Sequence, residues 1–395
     1  MAGALEGLKI LDFSTLVPGP YATMFLADLG ADVLRIKSGT RPDMIDFLPP
    51  FLPGTEVSAV SAQLSRNKKV MTLNLKDPRA VEVIHQLLTE YDIIIEQFRP
   101  GVMAKLNLDY ESLRKVNPRL IYCSLTGYGQ TGPMRDRAGH DINYIALSGV
   151  ASYSGKKESG PPLIGVQVAD IASGSNNAII GILSAVIYRE RTGNGQHIDV
   201  SMTDGMIAFN SFMQGASYLV NGKDIGMEEN LINGGSLYDY YETLDGRYLS
   251  FGGVEPQFFK AFCQTIDRYE LAAGGVAPKN VAQIKEEVRE ILKTKTLDEW
   301  MELFNRVDAC VEPVLTLGEV LEGPLVQERG MVVEVPGPNG TKVKQIGNPI
   351  KFSESIPQYR YTGIPLSKAN TEAVMKNLGY SQEEIDEFGR TGLFS

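Results

Sequence analysis

The 395-residue chain is poor in the residue types that most often announce a chemistry. It has three cysteines, Cys123, Cys263 and Cys310, spaced too widely for a metal site or a disulfide framework. Their apolar surroundings predict buried free thiols of a reducing compartment. Basic residues are outnumbered, and the net charge of −10 argues against nucleic acid and against an anionic membrane surface as partners. The longest uninterrupted apolar run, residues 178–187, is too short to cross a bilayer. No leader-like segment stands ahead of the first expected strand, so the expected location is cytoplasmic. No G-x-G-x-x-G turn follows a strand, which leaves nicotinamide binding without its fingerprint. Internal repeats and low-complexity tracts are absent.

What is present is an ordinary globular composition, 43% apolar and 22% charged, long enough for a large core in one to three domains. Residues 8–13, 31–37, 69–75, 92–98 and 119–125 read as apolar strands, and helical stretches alternate with them. That alternation predicts an α/β fold with an open, doubly wound, Rossmann-like parallel sheet. Ligands of such sheets sit outside the carboxyl ends of the strands. Those ends carry Ser14, Lys37, Arg99 and Gly127-Tyr128-Gly129. Basic groups cluster there too: Arg35, Lys37, Lys76 and Arg99. Such a cluster is either a solvated face or a seat for a polyphosphate. Past a strand at 196–201 the pattern changes. The expected division is a large first domain over 1–200, a linker helix over 201–230, and a smaller α+β domain over 231–325. The smaller domain includes a hairpin turned at Asp245-Gly246. A second hairpin over 331–346 and two terminal helices fill 326–395. The last helix opens on a Ser381 and Glu384 capping box.

One stretch concentrates the chemistry. It opens with Gly139-His140-Asp141-Ile142-Asn143-Tyr144 and closes with Val168-Ala169-Asp170-Ile171-Ala172-Ser173-Gly174. A polar excursion, residues 154–162, lies between. Asp170 stands where a long apolar helix is expected to begin. It reads first as an N-cap and, compatibly with that, as a carboxylate beside backbone donors that would stabilise a negative oxygen. His140 is one of three histidines. His85 reads as a helix-boundary residue and His197 as a strand residue. His140 alone follows a glycine at the start of an apolar run, and its pairing with Asp170 sets it apart.

Four further motifs span the chain: Val17-Pro18-Gly19-Pro20, Ala27-Asp28-Leu29-Gly30-Ala31-Asp32-Val33, Phe98-Arg99-Pro100-Gly101 and Arg191-Thr192-Gly193-Asn194-Gly195-Gln196. Together they resemble the class III CoA-transferase (CaiB/BaiF) superfamily over nearly the whole chain. Within it, the Gly139–Tyr144 motif, Ile232-Asn233-Gly234-Gly235 and Gly253-Val254-Glu255-Pro256-Gln257-Phe258 resemble the α-methylacyl-CoA racemase branch. The resemblance implies that His140 and Asp170 flank the α-carbon of a 2-methylacyl-CoA thioester and that Glu255 supports His140. It implies CoA contacts at Arg35, at Leu73, Asn74, Leu75 and Lys76, and at Gly139, Asp141, Asn143 and Tyr144. Ser38 stands where several racemases carry an arginine. It further implies an interlocked homodimer, with residues 326–395 completing the large domain. No cofactor is implied beyond the CoA of the substrate.

Inverting a carbon next to a thioester requires one proton to leave from one face and another to arrive on the other. An imidazole and a carboxylic acid suit those roles, provided the acid keeps its proton near neutral pH. Small residues after Asp170, Ala172, Ser173 and Gly174, are expected to let the thioester approach, with helix N–H groups holding the enolate oxygen. The alternative within the superfamily is CoA transfer between carboxylic acids, in which Asp170 is a covalent nucleophile and His140 is incidental.

Overall fold

The structure is a computed structural model that describes residues 3–365 and 369–395. Two compact units divide the chain. The first gathers Met1–Tyr144, Val166–Ala208 and Pro324–Ser395; the second gathers Ile145–Gly165 and Phe209–Gly323. The sequence-drawn boundaries therefore shift. The first unit extends past 200 to Ala208, the linker helix region from 209 on groups with the second unit, and so does the excursion after Tyr144.

The first unit is built on six parallel strands: β1 (Lys9–Asp12), β2 (Asp32–Lys37), β3 (Lys68–Thr72), β4 (Ile93–Glu96), β5 (Ile121–Thr126) and β6 (Gln196–Ser201). Their order is β3-β2-β1-β4-β5-β6, so the sheet is the doubly wound one the alternation predicted. All of β4 and β5 is buried, as apolar runs covered on both faces should be. Each fully buried Ile or Leu there contributes roughly 1.5–3 kcal/mol. One face packs against helix Arg79–Leu87 and the terminal helices Thr371–Asn377 and Gln382–Arg390, through Leu11, Ile94, Ile84, Met375 and Ile385. Residues 326–395 thus complete the first unit. The Ser381–Glu384 capping box is present as read.

The strand order reverses between β1 and β4, and helix Pro18–Asp28 begins there. Pro18 takes a first-turn position, where its missing N–H costs nothing. Buried polar groups fix this corner. Lys68 Nζ donates to Pro20 O at 2.8 Å and to Thr23 Oγ1 at 2.6 Å, and Asp12 accepts the Ser14 amide at 2.9 Å.

A continuous helix, Ala169–Thr192, covers part of the sheet. Counted from Ala169 it is long and apolar enough to cross a membrane, which the shorter run over 178–187 did not suggest. Its Ala178, Ile179, Ile182, Ala185 and Val186 are buried, and it packs on β5, β6 and helix Pro18–Asp28. That is the position of a core helix over a parallel sheet.

The second unit holds a three-stranded antiparallel sheet of β7 (Asp239–Glu242), β8 (Tyr248–Phe251) and β9 (Val311–Pro313), with helices packed on it. Aromatic residues fill its core: Phe251 stacks on Phe262 with centroids 4.0 Å apart, and Trp300 Nε1 donates to Leu292 O at 2.8 Å. The polar excursion is tied down rather than loose. Lys156 Nζ pairs with Asp239 at 2.6 Å, and Asn233 Nδ2 donates to Tyr153 O at 3.0 Å.

Between helix Pro18–Asp28 and β3, Arg66 forks onto Asp28, Nε to Oδ1 at 2.9 Å and Nη2 to Oδ2 at 2.6 Å, with both side chains fully buried. Removing one partner leaves a buried, unanswered charge. Asp28→Ala is therefore expected to lower stability by about 3–5 kcal/mol in urea titrations; a loss below about 1 kcal/mol would show that water replaces the pair.

Candidate active site

His140 sits immediately before helix Asp141–Leu147. Its backbone is held from both sides. The His140 amide donates to Asn143 Oδ1 at 3.0 Å, and the Asn143 amide donates to His140 O at 2.8 Å. This reciprocal cap leaves the imidazole free of structural duty. The ring is exposed, and among the described residues it makes no hydrogen bond. The turn before it is fixed by Tyr144, whose hydroxyl donates to Gly139 O. A Cβ at Gly139 would lie 2.5 Å from the Tyr128 hydroxyl and 2.7 Å from the Tyr144 ring. Only glycine fits where these two rings, 5.2 Å apart and edge to face, close over the backbone.

Asp170 is not an N-cap. It is the second residue of a π-helical segment, Ala169–Ser175, that opens the long helix, and Val168 precedes it in helical conformation. A π turn inside an α-helix is a common mark of a functional position. The capping is done by Asp141, whose Oδ1 accepts the Asp170 amide at 2.9 Å. The Ile171 amide donates to Gln167 O at 3.0 Å. The Ile171 amide, the first of the N–H groups expected to hold an enolate oxygen, is therefore already engaged.

The small residues after Asp170 serve packing. Ser173 and Gly174 are buried, Ser173 Oγ donates to Met202 O, and a Cβ at Gly174 would lie 2.9 Å from Met202 Cγ. Helix Met202–Ala208 presses on this segment, so the expected approach of a thioester along Ser173 and Gly174 is blocked by protein.

Burial pushes the half-buried Asp170 carboxyl up to about 6; the Asp141 charge adds to the rise and His140 opposes it. Burial and then the Asp170 charge also raise Tyr144. His140, Asp141, Tyr144 and Asp170 thus form one electrostatic group. Glu255 belongs to the second unit, at the N-cap position of helix Pro256–Thr265. It is exposed, and its carboxylate is not spent on the cap.

The expected phosphate contacts divide. Arg35 is fully buried, its Nη2 2.6 Å from Asp43 and its Nη1 2.9 Å from Ser65 Oγ, so it faces the core and not a ligand. Its place in a central strand, covered on both faces, is the reason. Lys37 is largely covered and paired with Asp46. Leu73 is buried, and Asn74 and Leu75 are half-buried, with the Asn74 amide bound to Leu393 O at 2.8 Å. Lys76 and Arg99 are exposed and are the cations of that set available to a phosphate. Gly139, Asn143 and Tyr144 are accounted for by the turn itself.

Arg99 also lines a cavity of about 220 Å³ with Glu96, Tyr110, Ser124, Gln130 and His197. Neither His140 nor Asp170 lines it. Burial pushes Glu96 up to about 7 against hydrogen bonds from Ser124 and the Phe98 amide. His197 bonds Ser124 Oγ at 3.0 Å and stacks on Tyr110. Residue order gave no sign of this cluster, because its members come from three strands, a short helix and two loops. The capping role of Asp141 was also missed; an acidic residue at the first position of a helix was the available signal.

The family model described as CoA-transferase family III matches residues 5–371. The human α-methylacyl-CoA racemase is 34% identical over 97% of this chain and 95% of its own length. The human succinyl-CoA:glutarate CoA-transferase is 32% identical over 98% and 89%. A crystal structure of a CaiB/BaiF family protein from Brucella suis superposes with a TM-score of 0.84 at 29% identity, covering 96% of this chain and all of that one.

The raised Asp170 carboxyl carries a pH signature. Its folded value of about 6 exceeds the ordinary 3.8, so the folded state binds the proton more tightly than the unfolded state. The ionised group destabilises the fold, with the penalty growing from about pH 4 to 6 and complete above. Asp170→Asn should be more stable than the parent at pH 8, on the order of 1 kcal/mol after solvent screening, with the gain vanishing below pH 4. Equal melting temperatures at pH 8 would contradict the shift.

Proposed function

We propose that this chain, which belongs to CoA-transferase family III, racemises the α-carbon of 2-methylacyl-CoA thioesters by two-base proton transfer. The observation that carries this reading is the linkage of a free imidazole to a proton-holding carboxyl. The His140 turn and the Asp170 turn meet through the Asp141 bond, and His140 acts electrostatically on Asp170.

In one direction neutral His140 takes the α-proton and leaves an enolate. The carboxylic acid of Asp170 then delivers its proton to the opposite face, leaving an imidazolium and a carboxylate. In the other direction the carboxylate abstracts and the imidazolium donates. With a value of about 6, both forms of Asp170 are accessible near neutral pH. Both directions start from a pair that carries one proton, so exchange from both enantiomers should fall together as rising pH strips that proton.

Lys76 and Arg99 hold phosphates of the CoA in this reading, beside Asn74 and Leu75. The substrate brings the only CoA, and no further cofactor is needed. Two chains form an interlocked homodimer, and Glu255 of a second copy orients His140 and favours its imidazolium. The unengaged Glu255 carboxylate supports that role.

The second reading is CoA transfer through an anhydride and then an aspartyl-CoA thioester on Asp170. The similarity to a succinyl-CoA:glutarate CoA-transferase favours it. A single 2-methylacyl-CoA enantiomer in D₂O decides. Racemisation puts deuterium on the α-carbon with no acceptor acid present. His140→Ala and Asp170→Ala should each slow exchange by roughly 10²–10⁴-fold, each most strongly from a different enantiomer. A strict need for an acceptor acid, with hydroxylamine-trappable enzyme, would establish the transferase instead.

A further inference from the structure

The chain leaves the first unit after Tyr144 and returns to it at Val166. The bond from the Asp170 amide to Asp141 Oδ1, 2.9 Å long, ties the departing strand of chain to the returning one. It joins the residue next to His140 to Asp170 itself. We propose that Asp141 is a positioning residue for the reaction: by accepting the Asp170 amide it sets the spacing between the two proton-transfer groups.

Three observations support this role. The first concerns what else holds the two turns. The His140 turn is made rigid by its own cap with Asn143 and by the Tyr144 hydroxyl on Gly139 O. The Asp170 turn is made rigid by packing on Met202 and by Ser175 Oγ donating to Pro18 O at 2.7 Å. Each turn is thus a stiff body. Among the described residues, Asp141 Oδ1 makes the hydrogen bond that couples one body to the other.

The second concerns chemistry. A carboxylate on a free helix N–H is the ordinary way to end a helix. Here the helix does not use its own Asp170 for this. The cap comes from 29 residues earlier, which leaves the Asp170 carboxyl unspent and next to a second negative group. The third concerns tolerance. Proton transfer falls steeply with misplacement, on the order of 10²-fold for about 1 Å. A staple one residue from His140 therefore has leverage on rate that a remote contact lacks.

This inference rests on the two-base reading for its kinetic part and on geometry alone for its structural part. The test compares Asp141→Asn with Asp141→Ala in the full chain. Asparagine keeps an oxygen acceptor in place, and alanine removes it. Hydrogen exchange of the unliganded protein reads the bond directly. Peptides over residues 166–175 should stay protected in the Asn variant and exchange at least tenfold faster in the Ala variant. In the α-deuteration assay, Asp141→Ala should lower kcat at least tenfold below Asp141→Asn while KM changes less than threefold. If alanine and asparagine give equal protection and equal kcat, the positioning role is overturned. If the parent shows no α-exchange at all, the racemase reading has failed, and the protection of 166–175 still decides whether Asp141 holds the turn.

Discussion

The burial of one helix governs the proton affinity of Asp170. Ala169–Thr192 lies on β5, β6 and helix Pro18–Asp28, and it is held there by small residues and apolar side chains. Its first turn cannot retreat into water without uncovering that core. Asp170 is carried on this turn and is desolvated as a consequence. A carboxyl that holds its proton up to about pH 6 is thus a by-product of packing. The helix opens with a π-helical turn, Ala169–Ser175, that carries Asp170 as its second residue.

Several buried charges elsewhere have close polar partners. Arg35 with Asp43, Arg66 with Asp28 and Lys68 with Pro20 and Thr23 lie under the sheet and its first helix. Each is paired, as buried ions must be. These pairs draw cations away from the surface where a polyphosphate would bind. Among the cations expected to meet a phosphate, Lys76 and Arg99 stay exposed.

Much of this was legible in the order of residues. Period and alternation located the strands of the parallel sheet, because strands such as 92–98 and 119–125 are apolar on both faces. The small antiparallel sheet announced itself through the Asp245-Gly246 turn. Four motifs spread along the chain identified the family. What sequence could not convey was direction and company. Arg35 looked like a phosphate ligand beside Lys37, yet a residue inside a central strand points into a covered face. Asp170 looked like a cap, yet the cap comes from Asp141, a contact between residues far apart in the chain. Ser173 and Gly174 looked like room for a ligand, and Met202 fills that room. Each error has one physical source: a side chain's partners depend on tertiary packing that local spacing does not encode.

The relatives at similar identity include a racemase and a CoA-transferase, and the proposed role of His140 is what separates the two readings for this chain. The most direct measurement is stereochemical. Pure (2R)- and pure (2S)-2-methylacyl-CoA are incubated separately with the protein and no other carboxylic acid, and the recovered acyl groups are resolved on a chiral column. Racemisation predicts that both incubations converge on the same near-equal mixture. Retention of configuration in both, with CoA moving only when a second acid is supplied, would contradict it.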